Sequence, residues 1–153
     1  MNYLKYFFIG LILICTACKK DTQPSVNPPI SNVPSIEFVE AIPTTVKQFS
    51  DSIKFTIKFT DGDGDLGDIS ADSLSLYLYD SRSAAIVERF HIVPVAPSSS
   101  SLVVQGQFSI MLGHTILLNN TSASESAVFS FMIKDRAGNK SNMVQSGSIT
   151  IVK

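Results

Sequence analysis

The chain has 153 residues, which is enough for one domain and a leader but too few for two ordinary domains. Its 12 basic and 13 acidic residues give a formal net charge of −1, so no basic stripe is available to neutralise nucleic-acid phosphates. Both cysteines lie within the first eighteen residues and there are only 2 histidines, which excludes a disulfide-stapled core or a Cys/His zinc centre in the body of the chain.

The first eighteen residues have the anatomy of a secretory signal peptide. Lys5 precedes the apolar run 6–15, and small or polar residues follow that run. A membrane-spanning helix needs about 20 apolar residues, so the run is too short to cross a bilayer. Cys15 and Cys18 also have the spacing of a CxxC redox or metal motif. Their position at the end of a hydrophobic leader, with no βαβ pattern around them, favours the signal peptide instead.

The residues before Cys18 resemble the lipobox of bacterial lipoproteins. Ala17 is the small residue before the cysteine, while Cys15 stands where the family usually has leucine. The resemblance implies removal of residues 1–17 and attachment of fatty acids such as palmitate to Cys18. Two or three acyl chains anchor a protein stably, where one chain is marginal. An ordinary cleaved signal with an incidental cysteine is the alternative.

Residues 18–35 are predicted to be a tether between the anchor and the domain. Four of the 7 prolines fall in this segment, with Ser, Asn and Thr between them. Proline removes backbone donors and favours extended conformations, so the segment is expected to be a semi-rigid spacer. Lys19 stands where enteric lipoproteins of the inner membrane have Asp. The resemblance therefore implies the cell envelope, at the outer membrane, on its periplasmic face or at the cell surface.

The pattern of residues 36–153 is typical of a single all-β domain. Apolar residues alternate strictly with Lys54, Thr56 and Lys58, which is the period-two pattern of a half-buried strand. The apolar set is Ile53, Phe55, Ile57 and Phe59. The same pattern recurs in 74–78, 102–110, 129–133 and 149–151. The less regular segments 36–42 and 86–93 bring the number of predicted strands to about seven. Without a convincing amphipathic helix, this predicts an immunoglobulin-like or fibronectin-III-like antiparallel β-sandwich.

The acidic loop, residues 61–72, is the one dense cluster of charge. It contains no basic residue and five of the 13 acidic residues, which are Asp61, Asp63, Asp65, Asp68 and Asp72. Calcium takes about six to eight oxygen ligands, and glycines in the loop allow the backbone to curl around an ion. The first three aspartates have EF-hand spacing, but Leu66 replaces the required glycine and strands flank the loop. Two interpretations follow: a β–β calcium site, or a solvated turn rich in favoured turn residues.

A second loop, residues 135–142, is expected to face the acidic loop if the strands follow immunoglobulin order. Asp135 or Asn139 would then complete the calcium coordination shell. The segments FTDGDGDLG and KDRAGNKSN resemble parts of uncharacterised Gram-negative lipoproteins with Ig-like domains. The resemblance implies a cell-envelope location and a sandwich fold, and it brings no established catalytic residues.

The sequence predicts a binding module and not an enzyme. It has no GxSxG or HExxH motif, and His91 and His114 are expected to be structural or solvated. The expected function is a lipid-anchored binding or adhesion module whose partner is an envelope protein or a glycan. A structural accessory subunit of an outer-membrane or surface complex is one alternative. A carbohydrate-binding module that stacks sugars on Tyr77 and Tyr79 is another.

Overall fold

The computed structural model describes residues 30–83, 85–97 and 101–153, and this part of the chain contains β-strands and no helix. The prediction of an all-β domain is therefore confirmed. The predicted leader, Cys18 and most of the predicted tether lie outside the described residues. The strands are β1 (Ser35–Ile42), β2 (Thr45–Lys47), β3 (Ile53–Asp61), β4 (Leu74–Asp80), β5 (Ile86–His91), β6 (Val104–Leu112), β7 (Ser124–Ala127), β8 (Phe129–Ile133), β9 (Val144–Gln145) and β10 (Ile149–Val152).

The strands form two main sheets and one short sheet. The first main sheet has the order β1–β3–β6, and the second has the order β5–β4–β8–β9, with antiparallel pairing throughout both. The short sheet has the order β2–β10–β7, in which β2 runs parallel to β10. Only Val128 separates β7 from β8, so the chain passes directly from the short sheet into the second main sheet.

Phenylalanine rings from opposite sheets make the centre of the hydrophobic core. The ring centroid of Phe55, on β3, lies 5.3 Å from that of Phe129 and 5.0 Å from that of Phe131, both on β8. Phe38, on β1, stacks on Phe131 with the centroids 6.2 Å apart. Phe55, Phe129 and Phe131 are all buried. Because these rings join the faces of two antiparallel sheets, the domain is a β-sandwich.

The alternation predicted for β3 is confirmed, with one refinement. Its four apolar residues are buried in the core, whereas Lys54 and Lys58 are exposed. Thr56 lies on the outer face with the lysines but is also buried, and its hydroxyl donates a hydrogen bond to Oε1 of Glu40 at 3.3 Å. The cause is the position of β3 between β1 and β6, whose side chains cover the middle of its outer face.

Three strands lie outside the sequence prediction, and several predicted strands have different bounds, among them β5 and β6. β2, β7 and β9 have two to four residues each and too few apolar side chains to show a period. β6 begins at Val104 and not at residue 102, because the backbone N–H of Leu102 donates to the carbonyl of Asp63 at 3.3 Å instead of joining the ladder. β5 ends at His91, two residues before its predicted end.

We expect Phe131→Ala to lower the free energy of unfolding by about 3–5 kcal/mol, the usual cost of truncating a buried phenylalanine. Phe131 contacts rings from both β1 and β3, so the cavity would open between the sheets. Lys54→Ala, an exposed position on β3, should change stability by less than about 0.5 kcal/mol. Urea unfolding followed by far-ultraviolet circular dichroism measures both. Equal losses of stability in the two variants would contradict the placement of Phe131 in the core and of Lys54 on the surface.

Candidate metal centre

The acidic loop meets several other segments at one end of the sandwich, which we call the acidic pole. The loop follows β3 directly, and residues 92–97 and 135–142 lie against it. The N–H of Asp68 donates to the carbonyl of Ile92 at 2.9 Å, and the N–H of Arg136 donates to the carbonyl of Asp65 at 3.3 Å. The predicted meeting of the acidic loop with the 135–142 loop is therefore confirmed.

Two glycines allow this close packing of the acidic loop. Gly64 and Gly67 have φ angles of +71° and +84°, in the left-handed region that favours glycine. A Cβ on Gly64 would lie 2.6 Å from the carbonyl oxygen of Leu102, and a Cβ on Gly67 would overlap the carbonyl oxygen of Val93. These positions hold the loop against its neighbours and fix the direction of the aspartates between them.

The loop brings together the carboxylates of Asp61, Asp63 and Asp65, which we call the aspartate triad. One oxygen from each carboxylate lies within 4.8 Å of the others. Calcium–oxygen distances are about 2.3–2.6 Å, so two oxygens on the same ion are separated by at most about 5 Å. The spacing of the triad fits three ligands of one calcium ion.

Each member of the triad has one oxygen without a hydrogen-bond donor. Asp61 is fully buried, and its Oδ2 accepts from the N–H of Leu66 at 2.9 Å. Oδ2 of Asp65 accepts from the N–H of Ala137 at 2.9 Å. The Oδ1 atoms of Asp61, Asp63 and Asp65 are buried and have no partner within the described part of the chain. A buried carboxylate oxygen without a partner is costly, and a bound cation would satisfy all three.

The electrostatics of the triad also favour a cation. Burial raises the pKa of Asp61, and the negative charges of Asp63 and Asp65 raise it further, against the opposing hydrogen bond from Leu66. Burial likewise raises the pKa of Asp65, with added repulsion from Asp135 and Asp63. The cation-free site therefore holds carboxylates whose charged forms are disfavoured by one another and by the protein interior.

The other predicted ligands lie outside the triad. Asp135 is buried close enough to repel Asp65, but its two oxygens accept from the backbone N–H and the side-chain amide of Asn139 at 2.7 and 2.8 Å. Oδ1 of Asp68 accepts from the N–H of Ser70 at 3.0 Å, which lowers the pKa of Asp68. Asp72 is exposed. Coordination of calcium by Asp68, Asp72 or Asp135 therefore stays a prediction.

A second charged cluster lies at the opposite end of the sandwich and had no signal in the sequence. The guanidinium of Arg82 forms ion pairs with Asp80 at 2.7 Å and Glu125 at 2.6 Å. Burial works against the charge on Arg82, but the two carboxylates raise its pKa overall. Hydrogen bonds from the N–H groups of Asn119 and Leu118, together with Arg82, lower the pKa of Glu125. The cluster holds the β4–β5 turn against β7.

Of the residues considered for sugar binding and catalysis, Tyr77 and His91 have contacts within the domain, and Tyr79 is half-buried on β4. The guanidinium carbon of Arg89, on β5, lies 5.5 Å from the ring centroid of Tyr77 and covers one face of that ring. Nδ1 of His91 lies 3.1 Å from the carbonyl oxygen of Ser73. His114 is exposed in the connection after β6.

Comparisons with known proteins do not assign the chain to a family. No protein-family model matches the sequence, and no curated protein matches it either. Within the described ranges, no helix is long and apolar enough to cross a membrane.

The raised pKa values predict how the stability of the calcium-free domain depends on pH. The ordinary aspartate pKa is 3.8, and those of Asp61 and Asp65 are higher in the folded state. As the pH rises above 3.8, Asp61 and Asp65 lose their protons in the unfolded chain before they do so in the folded domain, so the free energy of unfolding falls. The fall ends when both residues are also ionised in the folded state. Asp61→Asn/Asp65→Asn should therefore gain melting temperature relative to the wild type between pH 4 and pH 7. Melting curves in calcium-free buffer measure this difference. If the difference in melting temperature between the variant and the wild type decreases as the pH rises, the unfavourable charges on Asp61 and Asp65 are contradicted.

Proposed function

We propose that the protein is a non-catalytic lipoprotein of the bacterial cell envelope, anchored through Cys18, that presents an Ig-like binding or adhesion module with a calcium-stabilised acidic pole. Its partner is an envelope protein or a glycan in addition to the membrane. The lipobox-like residues before Cys18 and the proline-rich tether support the anchor. The β1–β3–β6 and β5–β4–β8–β9 orders, with β2 parallel to β10, support the Ig-like part of the proposal.

The observation that carries the calcium proposal is the convergent aspartate triad, in which Asp61 is buried and Asp63 and Asp65 are half-buried. One oxygen from each of the three carboxylates lies within the span of a single coordination shell, and each carboxylate has an oxygen without a donor. A solvated turn, the alternative interpretation, would keep its carboxylates in water, whereas Asp61 has no exposed surface. Three carboxylates leave coordination positions for further oxygens, which suits a hard cation of high coordination number such as calcium.

The anchor predicts fatty-acid labelling at one position. Growth of the producing bacterium with a labelled palmitate should mark the full-length protein, because lipoproteins of this type are acylated on the cysteine sulfur. Cys18→Ala should abolish the label, whereas Cys15→Ala should leave it. Label that persists in Cys18→Ala would remove the proposed anchor.

The triad predicts stabilisation by calcium. An ion that binds only the folded state adds RT ln(1 + [L]/Kd) to the unfolding free energy, about 2.7 kcal/mol at a hundred times Kd. For a domain of this size, that corresponds to a rise of several degrees in melting temperature. Magnesium should have a smaller effect, since its octahedral shell is stricter. The comparison is thermal melting of residues 30–153 in chelator and in millimolar calcium or magnesium.

Two variants test where the ion binds. Asp63→Asn/Asp65→Asn removes two triad charges and should abolish the calcium shift. Glu88→Gln removes an exposed charge from β5, outside the acidic loop, and should leave the shift intact. Identical melting of the wild type with and without calcium would make the loop a solvated turn. A shift that survives the double substitution would place the ion elsewhere.

A further inference from the structure

Exposed aliphatic side chains surround the aspartate triad at the acidic pole. The side chain of Ile69 is 80% exposed, that of Val93 67% and that of Leu102 54%. Single exposed aliphatic residues are ordinary on protein surfaces. These three come from separate segments of the chain and share one end of the domain, which is the pattern of an interaction surface.

Backbone contacts with the acidic loop fix the positions of these three residues. The N–H of Leu102 donates to the carbonyl of Asp63 at 3.3 Å. The carbonyl of Val93 packs directly on Gly67. Ile69 follows Asp68, whose N–H donates to the carbonyl of Ile92 and whose carboxylate accepts from the N–H of Ser70. An ion that orders the triad would therefore also order the segments that carry the aliphatic side chains.

The chain enters the domain at the same pole. The carbonyl oxygens of Ile30 and Ser31 occupy the space that a Cβ on Gly62 would need, so the entering segment lies directly on the acidic loop. The 29 residues before Ile30 include the proposed anchor at Cys18. A domain anchored in this way is held to the bilayer by the end that carries the triad.

We propose that the acidic pole is a calcium-dependent docking surface for an anionic lipid bilayer, an inference that rests on the calcium site proposed above. Calcium bound by the triad would take lipid phosphate oxygens at its open positions, because hard oxygen ligands are the ones that calcium prefers. Ile69, Val93 and Leu102 would enter the interfacial region, where buried aliphatic area strengthens binding.

Charge at the pole explains why docking needs the ion. Arg136 is exposed next to the triad, with one guanidinium N–H donating to the carbonyl of Gly67 at 3.1 Å, and it attracts anionic headgroups. The triad, together with Asp68 and Asp72, repels the same headgroups. Calcium removes part of that negative charge and bridges to the phosphates, so the balance changes from repulsion to attraction.

Vesicle co-sedimentation tests the proposal without the anchor. Residues 30–153 contain the whole described core, which extends from Ile36 to Ile151. This protein should bind vesicles of phosphatidylcholine and phosphatidylglycerol in millimolar calcium, and it should not bind them in chelator. Vesicles of phosphatidylcholine alone should bind much less.

Matched variants distinguish docking through the acidic pole from non-specific hydrophobic adsorption to vesicles. Ile69→Ser/Val93→Ser should weaken vesicle binding by about tenfold or more, since burial of one aliphatic side chain corresponds to at least that factor. Phe49→Ser is the control: Phe49 is 71% exposed in the turn before β3, and the length of β3 places it roughly 26 Å from the triad. It should bind like the wild type. Leu102→Ser provides a second test if the double variant fails to melt cooperatively.

The outcomes distinguish this inference from the calcium site on which it rests. Calcium-independent binding, or equal weakening by Phe49→Ser, would overturn the docking surface. A calcium-dependent melting shift without vesicle binding would also overturn it and would leave the calcium site in place. If neither the melting shift nor vesicle binding occurs, both proposals are wrong.

Discussion

Asp61 ends a core strand inside the protein, and the organisation of the acidic pole depends on the charge of its carboxylate. β3 places Asp61 on its buried face, two residues after Phe59, where water does not reach it. One oxygen is stabilised by the N–H of Leu66, and the other faces Asp63 and Asp65 without a donor. Replacing water around a carboxylate requires compensating interactions. The turn at 63–67, the glycines that allow it and the neighbouring segments all surround this one charge.

The rigidity of the sandwich makes such a site possible. The Phe55, Phe129 and Phe131 rings fix the two sheets relative to each other, and both sheets deliver connections to the acidic pole. The first sheet supplies the triad through β3, and the second supplies Arg136 and Ala137 through the connection after β8. Hydrogen bonds from their N–H groups to Asp65 therefore tie the two sheets together at this end. An ion bound there would strengthen a connection that the backbone already makes.

The sequence predicted the parts of the fold that have a strong period and missed those without one. Ile53 to Phe59 and Phe129 to Ile133 alternate clearly, and both are core strands in the structure. β7, with the sequence SESA, is polar and forms because β10 offers it a backbone partner, which no local pattern reports. Likewise, the density of aspartates predicted a site in the loop. The spacing also placed Asp61, Asp63 and Asp65 first among the ligands, and these are the three that converge. Which of their oxygens lack a donor depends on the backbone groups that the folded loop brings to them, and no local pattern reports that.

The two charged clusters of the domain show what the acidic pole lacks. At one end, Asp80 and Glu125 share the guanidinium of Arg82, which pairs with both carboxylates at 2.6–2.7 Å. At the other end, one oxygen from each of three aspartates converges on the same place. In the described part of the chain, no side-chain cation pairs with their buried Oδ1 atoms. The nearest guanidinium, that of Arg136, donates instead to the carbonyl of Gly67. The same fold thus neutralises one carboxylate cluster with its own base and leaves the other in the geometry of an ion site. The calcium ion proposed above would complete the second cluster, since it would supply positive charge within reach of all three oxygens.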